Sequence, residues 1–95
     1  LLHSFFDEGP EMVERLRVAL RDGQALDLRV NAHAARGAAL NFGLSALAQT
    51  AQALHEGATR VPAHEIARLI QRYEQLLASS RQACEAAGLL DPVTG

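Results

Sequence analysis

The chain has no Trp, no Lys and a single Cys, and aromatic residues make up only 4% of its 95 positions. Each shortage excludes something. One cysteine, Cys84, forbids an internal disulfide and points to a reducing compartment. No apolar run approaches the length that crosses a bilayer, and no signal peptide is visible. With all nine basic residues Arg and a formal net charge of -2, the balance argues against a nucleic-acid or anionic-membrane partner. Val and Ile are few and never alternate with polar residues, so there is no strand signal. The chain opens on Leu rather than Met, which reads as a domain taken from a longer protein.

What is abundant is Ala and Leu, which lose little side-chain entropy in a helix. The expectation is an all-α domain spanning residues 1–95, an antiparallel four-helix bundle. The first helix spans about 2–22, with Leu2, Phe5, Phe6, Val13, Leu16 and Leu20 on one face and Met12 at its edge. Pro10 removes a hydrogen bond inside it, so the helix is expected to be kinked or split at Gly9–Pro10. Asp22–Gly23 ends it. The second, about 25–41, carries the stripe Leu28, Ala32, Ala35, Ala39 and Phe42. A sharp turn at Gly43 leads to the third, about 44–56, with Leu44, Leu47, Ala48, Ala51 and Leu54 inward. Pro62 suits the first position of the fourth. That helix spans about 62–87, with Ile66, Leu69, Ile70, Tyr73, Leu76, Leu77, Ser80, Cys84 and Ala87 inward. Residues 88–95 read as a loose tail.

The informative stretch is "NAHAARGAALNFGLSAL", residues 31–47. His33 follows Ala32 and so flanks the buried stripe, facing solvent. Arg29 lies one turn before it, Arg36 three residues after and Gly37 four after, all neighbours on one helical surface. Glycine inside a helix costs about 1 kcal/mol against alanine, so Gly37 suggests that open space beside the imidazole is useful. Leu26, Val30 and Leu40 leave apolar surface along the same line. A neutral imidazole is a nucleophile, histidine's ordinary pKa of about 6.5 keeps much of it neutral at pH 7, and arginine pairs with phosphate oxygens. On spacing alone, an ordinary surface histidine with a glycine that lets helices pack fits at least as well.

The stretch "AHAARGAALNFGLSALAQTAQAL", within this layout of helices, resembles the histidine-containing phosphotransfer (HPt) family. The resemblance implies a four-helix bundle in which His33 is the phosphorylated histidine, through Nε2. Arg36 stands where the family has Lys near the phosphoryl group, and Gly37 matches the glycine that opens space for it. Asn41 and Gly43 match the turn between the central helices. Ala35 replaces the usual Leu and Ala38 the usual Ser. The resemblance also implies partners: a response-regulator receiver domain, a sensor histidine kinase, or both. Such a domain binds no cofactor, the Mg2+ and most catalytic groups residing in the partner, and it is not an independent enzyme. A cytoplasmic location follows, free or within a membrane-anchored sensor kinase. Arg29, Val30, Leu40, Gln52 and His55 are candidates for docking or support, His55 also reading simply as a helix-end histidine favoured by the dipole.

No two histidines lie four apart and no paired Glu-x-x-His motif occurs, so no metal site is expected. His3 and His64 read as solvated. Two other function classes compete. One is an interaction bundle that binds a signalling partner without efficient transfer. The other is a helix-turn-helix over 25–56, whose second helix carries no Arg or Lys to contact DNA.

Overall fold

The computed structural model describes residues 1–92. They form four helices, α1 (Leu2–Arg21), α2 (Ala25–Asn41), α3 (Ser45–Gly57) and α4 (Ala63–Ala86). Each packs on its neighbours in the order α1, α2, α3, α4, and α4 closes the ring on α1. The bundle measures 39 × 26 × 19 Å. Its axis is filled by Val13, Leu16, Leu28, Leu47, Leu54, Ile66, Ile70 and Tyr73, with Ala32, Ala35, Ala39 and Ala51 at the α2–α3 contact. The small alanines let these two helices approach closely, and theirs is the most extensive interface in the molecule.

α1 runs unbroken through Gly9–Pro10, so the two-helix alternative is corrected. A proline inside a helix costs about 3 kcal/mol, but the apolar phase is kept on both sides of it. Phe6 and Gly9 are buried before it and Val13 and Leu16 after it. Burial of one continuous face outweighs the local defect, while Pro10 itself points to solvent. Gly9 is where α4 comes nearest: a Cβ there would lie 2.9 Å from Leu77 Cδ1.

Three helices end alike. After α1, α2 and α4 a glycine adopts positive φ, at Gly23, Gly43 and Gly88. The next residue's N–H then reaches back to the helix: Gln24 to Ala19 O, Leu44 to Ala39 O and Leu89 to Cys84 O. These bonds satisfy carbonyls that a helix end leaves without partners.

Several boundaries differ from expectation. α1 stops at Arg21, with Asp22 as its cap. Leu44 and Pro62 each lie just before their helix rather than inside it, and α3 includes Gly57, which is buried beside Val61. Phe42 is not part of the buried stripe. It falls past the end of α2, is 36% exposed, and sets its ring against Phe5 at 5.6 Å. Ala87 caps α4 and is exposed. The tail is not loose throughout: the Gly88 turn folds the chain back and Leu90, 8% exposed, joins the core. Residues 93–95, the end of that expected tail, lie outside the described residues.

Candidate functional site

The α2–α3 hairpin fixes the site. Leu28, Ala32, Ala35 and Ala39 turn inward, which leaves the flank of α2 to Leu26, Val30, His33, Gly37 and Leu40. Leu26 is 71% exposed, Val30 60% and Leu40 51%. His33 and Arg29 are exposed, while Arg36 is half-buried. Among the described residues, no ion pair includes Arg29 or Arg36. Both guanidinium groups therefore remain available to an incoming anion.

Gly37 has nothing within 4 Å of where a Cβ would sit. Its missing side chain faces open space, so the packing explanation for this glycine fails. The opening lies one turn along the helix from His33, on the same surface.

From α3, His55 comes alongside. Its ring centroid is 5.6 Å from that of His33, with the ring planes tilted by 47°. Leu26, Arg29, Val30, His33 and His55 together line an open groove of about 400 Å3. Arg36, Gly37 and Leu40 continue along α2 beyond it. Gln52, also singled out from the sequence, does not join the groove: its amide donates to Glu56 Oε1 at 2.7 Å.

The pairing of His33 with His55 escaped sequence reasoning, which looked for histidines four apart on one helix. A usable signal existed. The two residues lie at nearly equal chain distance on either side of Gly43, and a tight antiparallel turn sets such positions at one level.

A larger concavity of about 530 Å3 lies on the α3–α4 side, lined by Glu56, Arg60, Val61, Glu65, Arg68, Leu69 and others. It holds no histidine, cysteine, serine or threonine, so it offers no nucleophile. His3 and His64 are exposed at other places, and Cys84 is half-buried against the core. Among the described residues, no three His, Cys, Asp or Glu side chains are grouped to hold a metal ion. No described helix is long and apolar enough to cross a membrane.

An exposed imidazole with an opening beside it, two free guanidinium groups and an apolar surround is chemically a place for an anionic group to be attached and reached by a protein surface. The sequence model of the Hpt domain family matches residues 1–86. No curated protein and no solved structure matches the chain significantly.

Proposed function

The chain belongs to the Hpt domain family, whose members carry out histidine phosphotransfer in phosphorelays, and from that premise we propose that His33 accepts and passes on the phosphoryl group. The observation that carries this reading is an exposed imidazole one turn from a glycine whose missing side chain faces open space.

The chemistry asks little of this chain. The lone pair of neutral His33 Nε2 forms a bond to phosphorus as the bond from phosphorus to the receiver's aspartate oxygen breaks. The electron pair leaves with the carboxylate, and no proton moves. The reverse step returns the group. Mg2+ and the groups that polarise the phosphoryl oxygens belong to the receiver domain, so this chain binds no cofactor of its own. Arg36 offers charge beside the site, and Gly37 gives the receiver's aspartate room to approach in line. Leu26, Val30 and Leu40 form the apolar surface on which the partner rests, with Arg29 at its edge. Aromatic and apolar anchors of this kind carry most of the energy of a protein interface. The partners are a response-regulator receiver domain and a sensor histidine kinase, which places the domain on the cytoplasmic side of the membrane.

The test is to mix the domain with a phosphorylated receiver and Mg2+. Wild type should gain an acid-labile, base-stable adduct by intact mass, and folded His33→Gln should gain none. If several receivers leave folded wild type unmodified yet still bind it, the domain is an interaction bundle. The replacements at Ala35 and Ala38 would then be the positions to restore.

A further inference from the structure

The groove at His33 has a second imidazole as its α3 wall. No hydrogen bond joins the two rings among the described residues, and at 5.6 Å between centroids with a 47° tilt they are not stacked face to face. The gap between them is open to solvent on the side where a group attached to His33 would stand. A phosphoryl group on a ring nitrogen of His33 puts tetrahedral anionic oxygens into that space.

The charges around His55 favour an anion there. From α2, Arg29 lines the same groove and Arg36 follows one turn beyond His33. On α3 itself, Glu56 is engaged by the Gln52 amide. The charged groups brought by α4 and the α3–α4 connection, Arg60, Glu65, Arg68 and Arg72, line the separate concavity on the other side of α3, together with Glu56. α1 packs on α2 and α4 and not on α3. No carboxylate lines the groove, and two guanidinium groups stand beside it. This arrangement opposes a metal cation between the two imidazoles and suits an oxyanion.

We propose that His55 is a second contact of the phosphoryl group carried by His33: protonated, it donates an N–H to a phosphoryl oxygen and holds the group on this domain, and neutral, it holds the group more weakly. The proposal rests on His33 being the phosphoacceptor. Hydrogen bonds from a cationic donor to an anionic oxygen are about twice as strong as neutral ones. Histidine changes charge within the range from about pH 5 to 8. By linkage, whatever factor protonation adds to holding the phosphoryl group, the phosphoryl group adds to protonation. The domain should therefore retain its phosphoryl group more firmly as pH falls, and release it to the receiver more readily as pH rises.

The experiment brings wild type, His55→Gln and His55→Arg to equilibrium with one phosphorylated receiver and Mg2+ at pH 6 and pH 8. Intact mass gives the ratio of phosphorylated domain to phosphorylated receiver. The receiver is common, so its own pH response cancels between variants. Wild type and His55→Gln should agree at pH 8, and wild type should hold about three- to tenfold more at pH 6. His55→Arg, with a fixed charge, should hold as firmly at pH 8 as at pH 6. A wild-type to His55→Gln ratio that does not change with pH overturns the proposal, as does an arginine variant indistinguishable from the glutamine one. An adduct that survives His33→Gln would make His55 an acceptor and also overturn it. If folded wild type takes up no phosphoryl group at all, the phosphoacceptor reading falls as well. An adduct on His33 that is indifferent to His55 sinks this inference alone. Circular dichroism confirms that each variant is helical.

Discussion

Gly37 sits mid-helix in a segment where nearly every neighbour is alanine or leucine, and nothing packs on it. Stability alone would favour alanine there by about 0.5–1 kcal/mol. Gly37→Ala should therefore raise the melting temperature by roughly 4 °C or more, since about 1 kcal/mol is worth ~4–8 °C in a domain of this size. The same methyl group narrows the approach to His33, so transfer from a phosphorylated receiver should slow several-fold. A thermal melt and a transfer time course on one sample check both. A stabilised variant that transfers at the wild-type rate would remove Gly37 from the site. The members of the site that share α2 were legible from the sequence, because residues three and four apart on a helix are neighbours whatever the fold. His55 was legible only as a helix-end histidine. Its place beside His33 depends on how two helices meet, which no spacing within one helix records. Phe42 was misread for a related reason: the stripe was extended one step past the point where the Gly43 turn takes the chain out of the helix.

At the scale of the element, α1 shows how a local defect is tolerated. Gly9 lets the Leu77 side chain of α4 lie against the backbone of α1, and the residues around it are buried as one face. Two ion pairs tie the same helices together. Arg17 donates two hydrogen bonds to Glu74, at 2.7 and 3.2 Å, and Arg81 reaches Asp7 at 3.1 Å. The Arg17 guanidinium holds the Glu74 carboxyl below its usual range, though a pair this exposed is worth only about 0.2–1 kcal/mol. Packing at Gly9 matters more. Gly9→Ala should be close to neutral, because the terminal methyl of Leu77 can turn aside and alanine favours the helix. Gly9→Val has more to fit and should cost about 1–3 kcal/mol in urea unfolding. If Gly9→Val were as stable as wild type, the close approach of α1 and α4 would not be as described. Helix ends were legible where a glycine closes them. Starts were less so: Leu44 and Pro62 precede their helices because no side-chain cap marks either first turn. The unbroken course of α1 could not be read from Pro10, since the burial that overrides it comes from α4.

The whole molecule carries one internal reporter of its integrity. Tyr73 is the only tyrosine, and its burial pushes the phenol up to about 12, against about 10 in an unfolded chain. Ionisation is thus harder in the folded state. Below about pH 10 the group leaves stability unchanged, and between about pH 10 and 12 stability should fall by about 1.4 kcal/mol per pH unit. A chain without lysine has no other ordinary group to titrate in that window. Urea unfolding at pH 9 and pH 11 should differ for wild type and much less for Tyr73→Phe. Equal slopes would mean that the phenol is not buried as described. Fold class and helix number were legible at this scale from the composition and the apolar stripes. Leu90 was not, because a single leucine beyond a glycine stop has no period to declare itself.

The ring order of the helices has a consequence in time. Three of its four interfaces join consecutive elements, and only α1 against α4 joins the two ends of the chain. Bundles built from such short-range pairings form in microseconds to milliseconds. The α2–α3 hairpin, linked by Phe42, Gly43 and Leu44, brings both imidazoles together without waiting for α4. The seam that closes last lies across the bundle from His33. Transient opening there, of the kind amide hydrogen exchange records, leaves the phosphoryl-bearing face assembled.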